Sequence, residues 1–395
     1  MVRRDRAPIR RRLWPAALLA AMTLAFAPIW ILWCPGTMSL RTHLYQNLMY
    51  GQLARRLTRD CRSTEEVVER LAEYASTHVW PAYDLGGYDG KPLDYLVKGV
   101  GWCDYLAKIH LRLLATRGIP ARYAMLLEAK EASPHTIAEV RYGGTWGAYD
   151  VLFNLRFTDP DGRPLPFETL SLSRLEAQPL MALLRRQFPD RAAQIRELYA
   201  RVLPVKLAPR RSRSGTQTLS VFDHALLLSS RWAGQPFVDW YQDRYWASRG
   251  LAHPSTADER LLLARHWHLA GRSAPAKEAY LACIREEPGT PVAFEARFWL
   301  GLLQLEIEGD AASALRTFEE SQAQDQGSRW VPMTWYYMGQ CEERLGHPDQ
   351  ARTWYVKAGA HGMMGRGSLQ FTEAFAPSVD RSARQPHTER VPCRC

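Results

Sequence analysis

The segment at residues 101–120, GWCDYLAKIHLRLLATRGIP, constrains the fold more strongly than any other part of the chain. Its apolar side chains recur at the spacing of one helical face. Gly118 and Pro120 end this pattern, because neither residue favours continuation of a helix. A helix is therefore predicted to begin near Cys103 and to bury one face against another element. The apolar positions are Leu106, Ile109, Leu113 and Leu114.

Cys103 is predicted to lie at the N-terminus of this helix, where free N–H groups and the helix dipole favour a thiolate. His135 follows 32 residues later, and Asp150 follows after another 15 residues. A thiol nucleophile, a histidine base and an orienting acid are the residues that acyl transfer requires. The alternative is that Cys103 is a small buried hydrophobe and that the other two residues are structural.

A β-hairpin is predicted directly after His135. Residues 138–142 and 146–152 have the composition of short strands, and Gly143 with Gly144 forms a plausible tight turn between them. Adjacent strands packed against the cysteine helix would bring His135 and Asp150 to the same place. The hairpin therefore makes a Cys–His–Asp site geometrically feasible.

Short motifs in this region follow one another in a specific order: Gly101-Trp102-Cys103-Asp104, RGIPAR at 117–122, His135 with Glu139, and Trp146 with Asp150. This ordered set resembles the transglutaminase-like superfamily of papain-related cysteine enzymes. The resemblance implies an α+β, papain-like core in which the cysteine helix packs on an antiparallel sheet. It also implies that Cys103 is the nucleophile, His135 the general base and acid, and Asp150 the orienting acid.

The resemblance has departures and leaves some roles open. Ile137 stands where the family often has an aromatic residue, and Val151 stands where a proline often follows the acid. Both departures bear on substrate preference. The Cys103 N–H would form an oxyanion hole with an upstream donor, and the sequence does not choose among Tyr83, Tyr88 and Tyr95. The expected substrate-cleft residues are Trp102, Gly101 and Tyr95, whereas Arg122 and Glu139 are expected to be structural.

The N-terminal region predicts a membrane anchor. Leu13 to Trp33 contains no charged residue, and about 20 apolar residues span a bilayer as a helix. A cleaved signal peptide with Ala25-Phe26-Ala27 at its end is the alternative. Six arginines precede the stretch and only Arg41 closely follows it, which predicts a cytoplasmic N-terminus. The body would then lie in the periplasm, held by a single-pass helix in the inner membrane.

Small and aromatic residues recur at one spacing near the C-terminus. The three sets are Ala264, Ala276 and Tyr280; Gly301, Ala314 and Phe318; and Gly339, Ala351 and Tyr355. They resemble the tetratricopeptide repeat, although the first residues are 37 and 38 positions apart instead of about 34. The resemblance implies an all-α solenoid at 255–362 that binds a protein partner. An exposed groove of aromatic residues such as Trp267, Trp299 and Tyr336 would support this binding, whereas their burial would leave no obvious platform. An ordinary helical bundle is the alternative.

Composition excludes several other classes of function. The seven cysteines lack paired metal-ligand spacing and no DxDxDG loop occurs, so neither a metal nor another cofactor is expected. The net charge is +10, but its basic clusters lack interleaved aromatic residues, which argues against nucleic-acid binding. The predicted organisation is 1–36 tail and signal anchor, 40–165 transglutaminase-like domain, 166–250 helical connecting region with a basic Pro/Ser linker at 204–216, 255–362 repeats, and 363–395 disordered tail.

The combined expectation is a membrane-anchored, periplasm-facing cysteine hydrolase or acyltransferase. It would act on amide bonds of a protein or peptide substrate through a thioester. The residues do not decide between water and an amine as the acceptor. A second hypothesis is a non-catalytic envelope scaffold that uses the transglutaminase-like domain and the repeats as binding modules.

Overall fold

The computed structural model describes residues 38–81, 91–126, 135–202, 219–324 and 330–361. The chain divides into a smaller unit, with described residues 38–51 and 219–253, and a larger unit that contains the remaining described residues. Among the described residues, no helix is long and apolar enough to cross a membrane. The predicted anchor at 13–33, the linker at 204–216 and the tail at 363–395 lie outside the described residues.

Two helices begin the described part of the chain. Helix α1 spans Met38–Leu57, and its residues up to Gly51 belong to the smaller unit. Helix α2 (Thr64–His78) begins after Ser63, whose hydroxyl accepts a hydrogen bond from the Glu66 N–H at 3.1 Å. This contact satisfies one of the N–H groups that have no partner within the helix.

A short parallel strand pair and two helices lead to and contain the cysteine. Strand β1 (Trp80–Pro81) pairs with β2 (Val100–Gly101), and helix α3 (Pro92–Lys98) precedes β2. Helix α4 (Cys103–Thr116) follows at once and ends before Gly118, which has a φ of +73°. The helix bounds predicted from the sequence are therefore confirmed.

The sheet is antiparallel with the order β3-β4-β5-β6, and helix α4 packs on its strands β3 and β4. The strands are β3 (Ala121–Leu126), β4 (His135–Tyr142), β5 (Thr145–Asp150) and β6 (Leu155–Arg156). Gly143 and Gly144, with φ of +59° and +83°, form the turn between β4 and β5. Two successive positive φ angles are the geometry of a tight hairpin turn that glycine favours. The predicted hairpin and the α+β core are confirmed.

Three helices follow the sheet within the predicted helical region. They are α5 (Leu172–Glu176), α6 (Pro179–Gln187) and α7 (Pro189–Val202). Helix α7 buries one stripe, which consists of Ala192, Ile195, Tyr199 and Val202. All three helices belong to the larger unit. Tyr199 of the α7 stripe donates a hydrogen bond to Asp150 at the end of β5.

The smaller unit pairs the first part of α1 with helix α8 (Val221–Ala247). Tyr45 stacks on Tyr245 with ring centroids 3.9 Å apart. Asn47 donates a buried hydrogen bond of 2.7 Å to Asp223, whose pKa is lowered by hydrogen bonds from Ser220, Asn47 and His43 despite partial burial. An aromatic stack and a satisfied carboxylate thus join two segments that are remote in sequence.

Three successive helix pairs form the C-terminal part of the larger unit. They are α9 (Ala257–Ala270) with α10 (Ser273–Glu286), α11 (Pro291–Leu303) with α12 (Ala311–Gln324), and α13 (Trp330–Leu345) with α14 (Pro348–Ala360). A Cβ at Gly301 would lie 2.6 Å from Phe318, and a Cβ at Gly339 would lie 2.8 Å from Tyr355. In these two pairs, the small residue of the first helix therefore packs directly against the aromatic ring of the second.

The first helix of each pair packs on the segment that leads to Cys103. Arg265 of α9 donates to the carbonyls of Val97 at 3.0 Å and Leu96 at 3.3 Å, and its guanidinium lies 3.3 Å from the Trp299 ring centroid. Trp299 and Tyr336 are buried, and Trp267 is partly buried. The expected aromatic platform is therefore largely covered by the protein's own core, because its side chains fill the space beside α3 and β2.

A buried polar cluster joins helix α2 to the C-terminal helix pairs. A π-helical turn (Gln304–Glu308) follows α11, and Glu306 within it accepts a 2.5 Å hydrogen bond from His78 of α2. Burial alone would raise the pKa of Glu306, but His78 and His268 hold it well below its usual range. The Tyr337 hydroxyl also donates to the Thr77 carbonyl at 3.2 Å. Helix α2 is thus held by polar contacts from the π-helical turn and from α13.

A substitution at Gly99 measures how closely the C-terminal helices pack on the segment that leads to Cys103. Its φ is +64°, and an added Cβ would lie 2.6 Å from Trp299 and 2.8 Å from Trp330. Gly99→Ala should lower the free energy of unfolding by about 2–5 kcal/mol, because backbone strain adds to overpacking. The measurement is urea denaturation.

Gly118→Ala is the matched control, since its φ is +73° and nothing lies within 4 Å of an added Cβ. It should cost about 1–2 kcal/mol, the backbone strain alone. Equal losses in the two variants would show that the tryptophans do not restrict Gly99.

Candidate active site

Cys103 is the first residue of helix α4, after Trp102 as its N-cap. The side chain is only 3% exposed, so the thiol faces the interior of the larger unit. Gly101 packs closely, because an added Cβ would lie 3.0 Å from Val79. A larger side chain at this position would therefore require Val79 to shift. Asp104 pairs with Lys108 at 2.8 Å, one turn along the helix.

The hairpin brings His135 and Asp150 together. Ala138 lies opposite Tyr149, so His135 at the start of β4 and Asp150 at the end of β5 are diagonal neighbours on one face. The distance from His135 Nε2 to Asp150 Oδ2 is 2.6 Å. Both side chains are buried. The spatial pairing expected from the sequence is therefore present.

Four groups surround the Asp150 carboxylate. Oδ1 accepts hydrogen bonds from the backbone N–H of Leu152 at 3.0 Å and of Phe153 at 3.3 Å. Oδ2 accepts from His135 and, at 2.6 Å, from the hydroxyl of Tyr199. A buried carboxylate is tolerated only when its oxygens have such donors. Val151, which stands where a proline often follows the acid, lies in the turn whose Leu152 and Phe153 N–H groups donate to Asp150.

His135 carries a raised pKa. Burial alone would lower it, but the charge and hydrogen bond of Asp150 raise it, as do a hydrogen bond and the charge of Cys103, to about 10. Because Nε2 faces Asp150, Nδ1 is the ring nitrogen that remains for the thiol. The raised pKa favours the protonated form of the ring, which lies between an acid and the cysteine.

Two aromatic rings enclose the imidazole. The ring centroid of Phe153 lies 5.5 Å from that of His135, and the ring centroid of Tyr199 lies 5.9 Å away at an interplanar angle of 74°. These rings leave the imidazole buried, so its interactions with Asp150 are not screened by water.

The other predicted cleft residues have different surroundings. Tyr95 is buried and stacks on Tyr105 with ring centroids 3.5 Å apart, a packing contact between α3 and α4. Trp102 is half-buried at the start of the cysteine helix, where it can line a cleft. Tyr83 and Tyr88 lie outside the described residues.

Arg122 and Glu139 form a structural pair across β3 and β4, in agreement with expectation. Arg122 Nε donates to Glu139 at 2.6 Å, and its guanidinium lies 4.4 Å from the Trp146 ring centroid. The other Glu139 oxygen accepts from the Phe167 N–H at 2.9 Å. Ile137, where an aromatic was expected, is fully buried in the sheet.

Tyr199 is the contributor to this site that sequence reasoning missed. It lies in α7, and the only local signal was its place in an apolar helical stripe. Such a stripe predicts burial but does not predict a hydrogen bond to a residue 49 positions away. Within the described residues, no group of three or more His, Cys, Asp or Glu side chains is arranged to hold a metal ion.

A comparison with known families matches one part of the chain. Residues 51–151 match the Transglutaminase-like superfamily. The chain therefore contains a transglutaminase-like domain. The matched stretch includes Cys103, His135 and Asp150 but ends before Tyr199. No curated protein and no solved structure is detectably similar to the chain.

The raised pKa of His135 makes folding depend on pH. The folded form holds a proton that the unfolded chain loses above pH 6.5, so the stabilisation is complete below pH 6.5 and is lost as the pH rises through about 10. The difference in unfolding free energy between wild type and His135→Gln should therefore shrink over this range. Urea denaturation at a series of pH values measures it.

His110→Gln is the control, because burial lowers the pKa of this histidine to about 4. Well above pH 6.5, His110 is then neutral in both the folded and the unfolded chain. The difference in unfolding free energy between wild type and His110→Gln should therefore stay constant there. A constant difference for His135→Gln as well would contradict the ion-pair interpretation.

Proposed function

We propose that the protein is a transglutaminase-like cysteine enzyme that acts on amide bonds of a protein or peptide. The observation that carries the proposal is the 2.6 Å contact of His135 with Asp150 beside a cysteine at a helix N-terminus. His135 also interacts directly with the Cys103 side chain. The three residues thus have the contacts that a nucleophile, a proton carrier and an orienting acid require.

In the proposed reaction, the Cys103 thiolate attacks the amide carbonyl carbon and forms a C–S bond. His135 gives its proton to the departing amine as the C–N bond breaks, which leaves a thioester. Water or a second amine then attacks the thioester, loses a proton to His135 and releases the thiolate. The backbone N–H of Cys103 is among the first four of the helix, which lack intrahelical acceptors, so it can stabilise the oxyanion.

The proposed location is the periplasmic side of the inner membrane. The support is the uncharged stretch from Leu13 to Trp33, which follows an arginine-rich start. In this arrangement the amide substrates are proteins or peptides of the cell envelope.

The helix pairs α9–α14 are proposed to act as tetratricopeptide-like repeats that bind a protein partner. Because their inner aromatic residues contact the core, the partner would use another surface. A half-open cavity of about 430 Å³ lies between α12, α13 and α14, and its lining includes Glu319, Val331, Trp335, Met338 and Trp354. An apolar side chain of a protein partner fits such a lining.

The second candidate function is a non-catalytic envelope scaffold. The observation that favours it is the burial of Cys103, which limits access to the thiol. In this alternative, the transglutaminase-like domain and the helix pairs are binding modules. Replacing Cys103 by serine would then leave cellular function unchanged, whereas the enzyme proposal requires its loss.

Thiol labelling tests the enzyme proposal directly. At about pH 5.5 an ordinary cysteine is protonated and reacts slowly. Iodoacetamide should therefore modify Cys103 selectively, and His135→Gln should abolish this selectivity. Peptide mass spectrometry measures the modified fraction at each cysteine.

The chain supplies its own internal controls. Burial raises the pKa of Cys283 to about 11 and that of Cys341 to about 12. Both should remain unmodified, and the half-buried Cys61 reports ordinary reactivity. Labelling of Cys103 no faster than that of Cys61 would argue against the nucleophile.

The anchor has a separate test. Deletion of residues 1–36 should move the protein from the membrane fraction to the soluble fraction, because the only long uncharged stretch is removed. Carbonate extraction followed by immunoblotting measures the partition, with the full chain as the reference. An unchanged membrane fraction would contradict anchoring by this segment.

A further inference from the structure

A tyrosine outside the matched domain contacts the acid of the candidate site. The Tyr199 hydroxyl donates to Asp150 Oδ2 at 2.6 Å, and this is the same oxygen that His135 Nε2 contacts at 2.6 Å. Tyr199 is fully buried in α7. Two short hydrogen bonds therefore converge on one carboxylate oxygen, and one of them comes from the helical region that follows the sheet.

The direction of the tyrosine hydrogen bond is fixed by its surroundings. Burial, followed by the charge of Asp150, raises the pKa of Tyr199 well above its ordinary value. The hydroxyl therefore keeps its proton, and an ionised carboxylate can only accept. Tyr199 is a permanent donor to Asp150.

We propose that Tyr199 is a positioning residue for the cysteine chemistry, acting on His135 through Asp150. The inference rests on the proposed function, since it assigns a role within that site. Oδ1 is held by the Leu152 and Phe153 N–H groups. Tyr199 holds Oδ2, so the carboxylate cannot turn away from the imidazole.

Tyr199 also limits how strongly Asp150 attracts the imidazolium proton. The negative charge on Oδ2 is shared between the tyrosine hydroxyl and the imidazole, and a second donor weakens the pull of the acceptor on the first. The charged or titratable side chains that act on His135 are Asp150 and Cys103, and Tyr199 is the neutral donor that contacts this set. The tyrosine ring packs edge-on against the imidazole and fixes its plane.

Tyr199→Phe removes the hydroxyl but keeps the ring. The test follows the rate of Cys103 alkylation by iodoacetamide in the full chain from pH 3 to pH 11. Loss of the donor should move the alkaline transition, at which His135 loses its proton, upward by about 0.5–1 pH unit, the equivalent of one hydrogen bond. Replacing Tyr199 with 3-fluorotyrosine strengthens the donor and should move the same transition downward.

Tyr355→Phe is the matched control. It also removes a buried tyrosine hydroxyl that donates to a carboxylate, Glu343 at 2.8 Å, but in the last helix pair. Because Glu343 is exposed and water can replace the lost donor, a smaller loss of stability is expected, without a shift of the transition. The 3-fluorotyrosine protein keeps every hydrogen bond, so its shift decides the outcome even if Tyr199→Phe folds poorly.

The outcomes separate this inference from the proposed function. A wild-type protein whose Cys103 shows no reactivity at acidic pH overturns the cysteine chemistry and the role of Tyr199 with it. A reactive wild type with identical profiles in both Tyr199 variants overturns the role of Tyr199 alone. Equal shifts in Tyr199→Phe and Tyr355→Phe would also overturn it, because a general loss of packing would then explain the effect.

Discussion

The buried carboxylate of Asp150 is the constraint on which the site depends. An ionised carboxylate without water is costly unless each oxygen has donors. Here two backbone N–H groups, an imidazole and a phenol supply them. These donors come from the end of the hairpin, from the start of β4 and from α7. The sheet, the turn after it and a later helix must therefore all be in place before the charge can be buried.

The sequence predicts the local parts of this arrangement well. Helix α4 begins and ends at the expected residues because its apolar stripe, Gly118 and Pro120 are local signals. Two adjacent glycines predict the hairpin turn, and the pairing of its strands places His135 beside Asp150. Contacts between distant residues leave no such signal. The local sequence marks Tyr199 only as a position in an apolar stripe, and nothing in it indicates that Arg265 donates to Val97 across 168 residues.

The C-terminal helix pairs have a role that their resemblance to a repeat does not describe. Small residues and aromatic rings join the helices of a pair, as expected. The first helices of the pairs then present Arg265, Trp299 and Trp330 to α3 and Gly99. Trp299 and Trp330 are thereby buried against the domain that carries the cysteine, which leaves no obvious aromatic platform for a partner on this face. The helix pairs support the segment before Cys103 from outside the sheet, so their contribution to the site is structural.

This support has a consequence for the order in which the protein can assemble. The Tyr337 hydroxyl that contacts Thr77 is 260 residues further along the chain. A ribosome therefore releases the cysteine helix and the hairpin long before it makes α13. The surroundings of Gly99 remain incomplete for most of that time, since Trp330 begins the same helix. The packing around the segment that precedes the cysteine helix is therefore completed only after α13 has been made.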